Sequence, residues 1–514
     1  MKHLLRRAAT VVAFSCALLT PCVHATPGQP GTLDATWATS SPLGAGKLIT
    51  PIGSGNDQAN SITLQPDGKV LLAGNCINGA TVDFCAVRYL ANGTLDTTWN
   101  GTGKVSTPIG TGGDASANAM TLQPDGKVLL AGPCWNGTYD DFCAARYLAN
   151  GTLDITWNGT GKVITAFGGG VGGTANAMTL QPDGKVLLAG ICANFSSPNF
   201  CAARYLANGS LDTTWNSTGK IITFIGSGYA NASSMTLQPD GKVLLAGSCS
   251  NAFNFDFCTV RYLADGSLDA TWGGTGKVIT PIGTGYDYGK TITLQPDGKV
   301  LVAGYCAGAT NYDFCAARYL ANGTLDTSWN STGTSPGTVI TTIGTGTSNA
   351  ISMTLQPDGR VLLAGHCSNG TNYDFCAARY LANGTLDTTW NSTGTSPGKV
   401  ITAIGGGGDY ARAVMLQPDG KVLVAGYCSN GANDDFCAAR YDGGPFGYQN
   451  CKPDIDGDGS FLATTDALIY TRIALGITGP AVIGGITFAP TATRNTWPLI
   501  RDYLVTQCGM SLVQ

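Results

Sequence analysis

The pentapeptide Leu-Gln-Pro-Asp-Gly occurs seven times, its aspartates being Asp67, Asp125, Asp183, Asp240, Asp297, Asp358 and Asp419, so one motif returns every 57 to 61 residues. A period of this size leaves few architectures open. Each copy is one supersecondary unit that cannot bury its apolar face alone and must pack on its neighbours. The two longest intervals come from matching insertions, Thr334–Gly337 and Thr395–Gly398. Each unit opens with Leu-Asp and a tryptophan three residues on, from Asp34 and Trp37 to Asp387 and Trp390. It closes with Arg-Tyr, from Arg88-Tyr89 to Arg440-Tyr441, and the array fills 31–442 with no partial copy.

Within a unit the pattern is strand-like throughout. Lys162–Thr165 gives a first strand, and a Gly-rich loop leads to a second that ends at Thr179–Gln181. Pro182 presets φ, Asp183 hydrogen-bonds locally and Gly184 takes the left-handed conformation that lets the chain re-enter a hairpin. Val186–Gly190 is a continuous apolar run, as in a strand covered on both faces, and Phe200–Tyr205 supplies a fourth strand. Seven copies of four antiparallel strands predict a mostly β fold, a seven-bladed β-propeller with four-stranded antiparallel blades. An open β-solenoid is the alternative, although the array shows no obvious polar cap.

Composition narrows the chemistry. The 514 residues carry a net charge of −4, and all 33 acids are aspartate, which excludes any mechanism that needs glutamate. His3 and His24 fall at the N-terminus, leaving His366, too little for a His-rich zinc site or a His-paired dyad. There is no basic stripe for nucleic acid and no stretch of roughly 18 apolar residues to span a membrane. Lys2, Arg6 and Arg7, the apolar stretch Ala8–Val23 and the small residues around His24 predict a signal peptide over 1–25 and a secreted, periplasmic or cell-surface protein. The cysteines beyond it pair by spacing: Cys76 with Cys85, Cys134 with Cys143, Cys192 with Cys201, Cys249 with Cys258, Cys306 with Cys315, Cys367 with Cys376, Cys428 with Cys437, and finally Cys451 with Cys508. An even count, regular spacing and export predict disulfides rather than metal ligation. Those in the repeats would staple the third and fourth strands of each unit at their open end, contributing about 2–3 kcal/mol each.

The repeat resembles the delta-60 repeat proteins of bacteria. The motif stands here as Asn150-Gly151-Thr152-Leu153-Asp154-Ile155-Thr156-Trp157-Asn158, then Gln181-Pro182-Asp183-Gly184-Lys185, and, in the preceding unit, Asp141-Phe142 to Arg146-Tyr147. Tryptophan replaces the usual phenylalanine, and the cysteine pairs are additional. The resemblance implies a secreted or surface-associated propeller and transfers no catalytic residue.

Residues that recur in every unit suit blade packing better than contact with one asymmetric ligand. Arg88, Arg146, Arg204, Arg261, Arg318, Arg379 and Arg440 fall on a strand with Phe and Ala, so each needs an acidic partner, either the Leu-Asp aspartate or that of the turn. An arginine ring lining an anion-binding channel is the alternative. The tryptophans likewise read as inter-blade packing before stacking platforms. Strand alternation places the first-to-second and third-to-fourth loops on one face and the Pro-Asp-Gly turns on the other. The varied face carries Trp135, Tyr139, Phe195, Tyr229, Phe253, Phe255, Tyr286, Tyr288, Tyr312, Tyr373 and Tyr410 among Asn, Gly, Ser and Asp, a chemistry suited to binding protein or glycan. The plainer alternative is that these rings cover strand ends. His366 has no repeated companion and reads as incidental.

After a linker over 443–450 the sequence changes kind. In the segment 451–514, Asp454, Asp456 and Asp458 stand at positions 1, 3 and 5 of a loop with Gly at 6, the start of a calcium loop, with the Ser460 carbonyl and Asp466 as further ligands. Asp466 stands one place later than the usual acid. Helices are predicted over 467–475 and 498–507, the second presenting Leu499, Ile500, Tyr503 and Leu504 on one side. Asp454 to Ser460, Asp466-Ala467-Leu468 and Arg472 resemble one half of a dockerin module, which implies one calcium ion and raises a cohesin-like partner; the second half lacks an acidic loop. The whole predicts an exported, non-catalytic interaction or surface module binding protein or glycan through its varied face. The competing reading is a propeller hydrolase or lyase acting on a sugar or lactone. An enzyme should place unrepeated polar residues inside the channel, and a binding module should place its diversity on the rim.

Overall fold

The computed structural model describes residues 29–444 apart from 112, 168–171, 195, 196, 252, 253 and 309, and residues 454–506 apart from 459, 461, 463 and 475–478. The predicted signal peptide, most of the linker, Phe195, Phe253 and the predicted bridge between Cys451 and Cys508 lie outside the described residues.

The first elements set the plan: β1 (Lys47–Thr50), β2 (Asp57–Leu64), β3 (Val70–Asn78), β4 (Thr81–Tyr89) and β5 (Lys104–Thr107). β2 to β5 form one antiparallel sheet in chain order, and the other six sheets repeat the arrangement. The outermost strand of each blade is therefore the first strand of the next sequence unit. This offset leaves β1 without a blade of its own, and it completes the seventh by pairing with Asp434–Tyr441, Lys47 opposite Ala439 and Thr50 opposite Phe436. The innermost strands of successive blades lie side by side all the way round, the seventh against the first. The array is thus a closed seven-bladed β-propeller and not an open solenoid; closure, rather than a cap, protects its two ends.

Burial follows the pattern read from the apolar run. Leu71 and Leu72 are both 0% exposed. Leu71 packs with second-blade residues such as Leu130, and Leu72 with seventh-blade residues such as Leu423.

All seven repeat disulfides form as the spacing predicts. Cys76 is bonded to Cys85, Cys134 to Cys143, Cys192 to Cys201 and Cys249 to Cys258, with Cα atoms 5.8 Å apart in each. Cys306 is bonded to Cys315, Cys367 to Cys376 and Cys428 to Cys437, at 5.8 to 5.9 Å. Their place along the hairpin differs from the expectation, because they do not sit at its open end. Cys76 lies opposite Asp83 and Cys85 opposite Gly74, close to the connecting turn. So short a separation in sequence spans only the loop end of a two-stranded ribbon. The same register holds in the other blades, where Cys143 faces Gly132, Cys201 faces Gly190, Cys258 faces Gly247, Cys315 faces Gly304, Cys376 faces Gly365 and Cys437 faces Gly426.

The repeated arginines are structural. Arg88 Nε donates to Asp96 Oδ2 at 2.9 Å, its Nη1 donates to the Ala149 carbonyl of the following blade at 3.1 Å, and its guanidinium lies 5.6 Å from the Trp99 ring centroid. The same Arg–Asp pairing and Arg–Trp contact recur in all seven units, ending with Arg440 on Asp34 and over Trp37. The partner is always the Leu-Asp aspartate, and none of these arginines stands on an innermost strand. Each tryptophan seals a blade junction: a Cβ on Gly151, at φ +92°, would come within 2.8 Å of the Trp99 ring.

In the C-terminal segment, helices span Asp466–Ala474 and Trp497–Thr506. Ile455, Ile469, Val482, Ile500 and Leu504 make a small apolar core. Leu499 does not join it and is 48% exposed.

Candidate functional site

The two loop sets predicted to share a face do so. Ser54 N donates to the Ile77 carbonyl at 2.9 Å and Thr111 N to that of Trp135 at 3.0 Å, tying first-to-second loops to third-to-fourth loops. Every innermost strand enters the channel from this face. In the first blade an irregularity lies just inside the mouth, where one residue is left over between Ala59 and Ser61, and the third to seventh blades repeat it. A bulge re-aims a side chain out of the regular pleat, and such positions cluster near sites. The residues at this position, with Asn118 as its counterpart in the second blade, are Asn60, Asn118, Asn176, Ser233, Lys290, Ile351 and Arg412. This ring is not uniform: it is asparagine on the first three blades and Ser, Lys, Ile and Arg on the other four.

Its two halves differ in chemistry. On the first blades it is an amide network: Asn60 Nδ2 donates to the Ala117 carbonyl at 3.2 Å, Asn118 Nδ2 to that of Ala175 at 3.0 Å, and Asn176 Nδ2 to Asn231 Oδ1 at 3.0 Å. On blades five to seven it is aromatic and cationic. The Lys290 ammonium lies 5.5 Å from the Tyr305 centroid and 6.0 Å from that of Tyr288, and makes no hydrogen bond or ion pair among the described residues. Arg412 lies 5.2 Å from the Tyr427 centroid and donates from Nη2 to the Tyr427 hydroxyl at 3.0 Å; its buried Nε has no partner among the described residues. Burial, helped by the Arg412 charge, pulls the Lys290 ammonium below its ordinary value. Burial and then the Arg412 charge bring the His366 imidazole down to about 4, so it is neutral at pH 7.

The rings form two ladders. Tyr229 meets Phe255 edge-on at 5.5 Å, Phe255 stacks on Tyr288 at 5.6 Å, and Tyr288 contacts Tyr286, Tyr305 and Tyr312. In the second, Tyr373, Tyr410 and His366 touch one another at 5.1 to 5.4 Å and Tyr410 stacks on Tyr427 at 5.0 Å. Of the rings singled out in the sequence, the structure therefore gathers Tyr229, Phe255, Tyr286, Tyr288 and Tyr312 in one group and Tyr373 and Tyr410 in another. Trp135 and Tyr139 are exposed on the second blade and join neither ladder. Lys290, Tyr305, Arg412 and Tyr427 were missed, and His366 was read as incidental. Aligning the seven copies on Leu-Gln-Pro and asking which column varies would have exposed the bulge position.

In the C-terminal segment, carboxylate oxygens of Asp454, Asp456 and Asp458 lie within 4.8 Å of one another. Asp456 is 0% exposed, its Oδ2 has no hydrogen-bond partner among the described residues, and burial and the charges of Asp466 and Asp458 push its carboxyl up to about 6. A buried orphan oxygen among carboxylates fits a hard cation. Asp466 is turned to the backbone instead, its Oδ1 accepting from Ile455 N and Asp456 N and its Oδ2 from Leu462 N. Ser460 is exposed, with its N donating to Asp458 Oδ1 at 2.8 Å.

Seven segments, 65–98, 123–156, 181–214, 238–271, 295–328, 356–389 and 417–443, match the family described as Domain of unknown function (DUF5122) beta-propeller. Repeats of this kind along the chain fit a repeat β-propeller. Among solved structures, similar chains include an ulvan lyase described as a new family of polysaccharide lyase, at 9% identity, covering 76% of this chain and 95% of that one with a TM-score of 0.42. Others are Sqt1 of Chaetomium thermophilum, at 11%, 74%, 82% and 0.39, and a Lactobacillus plantarum protein, at 15%, 65%, 84% and 0.38. At these values the likeness says nothing of ligand or chemistry. No curated protein matches the sequence.

Proposed function

We propose that this propeller is an exported, non-catalytic interaction module that binds glycan or protein at the channel mouth on its varied face. The observation that carries this is the gathering of unrepeated rings from blades four to seven into two ladders continuous with the inner-strand ring. Seven disulfides suit an oxidising compartment outside the cytoplasm. The test is a glycan-array and envelope-extract screen of oxidised protein: Tyr288→Ala and Tyr410→Ala should abolish capture, while Trp135→Ala should leave it unchanged. Equal capture by all variants would remove the channel mouth from consideration. A sugar-directed hydrolase or lyase is the second reading, favoured by one observation, a neutral imidazole at His366 in contact with two tyrosines.

For the C-terminal segment we propose a single calcium ion held by Asp454, Asp456, Asp458 and the Ser460 carbonyl, with Asp466 orienting the loop, in a dockerin-like half-module. The ion would neutralise the clustered carboxylates and hold the loop folded. A cohesin-like partner is the corresponding binding proposal. Full-length protein should show a calcium-dependent change in protease sensitivity after residue 442 that Asp456→Asn removes; identical digestion in calcium and in chelator would refute it.

A further inference from the structure

The channel mouth holds a charge imbalance that packing alone does not explain. Lys290 and Arg412 stand at the same bulge position two blades apart, both half-buried, with Ile351 between them on the intervening blade. Neither has an ion pair among the described residues, whereas the seven repeated arginines are each paired with an aspartate. The aspartates nearest in sequence are committed elsewhere: Asp287 accepts from Ile282 N at 2.8 Å and Asp409 from Ile404 N at 2.6 Å, both in the loops above. The ring faces and the Tyr427 hydroxyl compensate these two cations only in part, and an anion between them would supply the missing counter-charge.

We infer that the ligand of this mouth is an acidic sugar, its carboxylate or sulfate held between Lys290 and Arg412 and its ring laid against the faces of Tyr288 and Tyr410. The inference rests on the channel-mouth reading above and names its ligand class. Tyrosine faces are the flat partners that pyranose rings cover, and the Tyr427 hydroxyl, which accepts from Arg412 Nη2 at 3.0 Å, stands beside the cation for a sugar hydroxyl. An acidic peptide would satisfy the charges but would leave the ring faces without a flat partner.

The test is calorimetric titration of oxidised full-length protein with a galacturonate tetrasaccharide, its neutral methyl ester, a sulfated tetrasaccharide and an oligo-aspartate peptide. A uronate or sulfated saccharide should bind at least tenfold tighter than the ester, weaken as salt rises, and lose about tenfold on Lys290→Gln or Arg412→Gln, with Lys290→Arg retaining it. Which acidic saccharide binds tighter distinguishes carboxylate from sulfate. Lys290→Gln removes a charge with neither hydrogen bond nor ion pair among the described residues, so its melting temperature should not fall, which separates loss of binding from loss of fold. Equal binding of acid and ester, unchanged in the Gln variants, overturns the anion assignment and leaves the channel-mouth reading standing. Preference for the peptide overturns it too, and binding of no saccharide together with no effect of Tyr288→Ala on envelope capture overturns both.

Discussion

In the fourth blade the Trp272 indole N–H donates to Thr259 Oγ1 at 3.0 Å. The matching residues of the other blades are Ala86, Ala144, Ala202, Ala316, Ala377 and Ala438, and there the buried indole N–H groups have no partner among the described residues. The repeat therefore contains its own control. Thr259→Val keeps the shape and returns Trp272 to the state of the other six, and should cost about 1–2 kcal/mol in urea unfolding; an unchanged midpoint would mean that the bond adds nothing. Asp287 and Asp409 give a pH-dependent counterpart. Burial pushes both carboxyls up to about 6, above the unfolded value, so the native state keeps protons that the unfolded chain has released. Their contribution to stability falls as pH rises from about 4 to about 6. Asp287→Asn should match the wild type near pH 4 and exceed it by up to about 3 kcal/mol at pH 7, measured as denaturant midpoints across that range; a constant difference would refute the assignment.

At the level of elements, the decisive strand is β1. It is short, and Ile49 opposite Cys437 is only partly buried, yet it covers the outer edge of Asp434–Tyr441. Removing residues 29–50 would expose that edge and detach Trp37 from Arg440, so the truncated protein should self-associate in light scattering and melt at lower temperature. A monomer of unchanged stability would show that closure does not depend on β1. The strand pattern, the Pro-Asp-Gly turn and the doubly covered apolar run were all legible in the sequence, because each is fixed by local chemistry within a few residues. The position of the disulfide along its hairpin was misjudged although the spacing contained it: a short loop can only be stapled at its closed end.

For the whole molecule, seven near-identical units make a ring whose symmetry is broken only where the copies differ. Those differences fall on blades four to seven for rings and cations and on blades one to four for amides, so one channel mouth has two chemically distinct walls. The C-terminal segment adds a second, independent breaking of the repeat, and the calcium test above belongs to this scale. The sequence by itself determined the number of blades and the pairing of the repeat cysteines, since these depend on period and spacing, whereas the choice of the Leu-Asp aspartate over that of the turn as each arginine's partner came from the fold. Only the tertiary structure decided that repeat and blade are offset by one strand, and that Tyr288, Lys290, His366 and Arg412 share one site. That outcome is set by ring closure, which brings residues from three blades to one axis although more than 100 residues separate the first from the last.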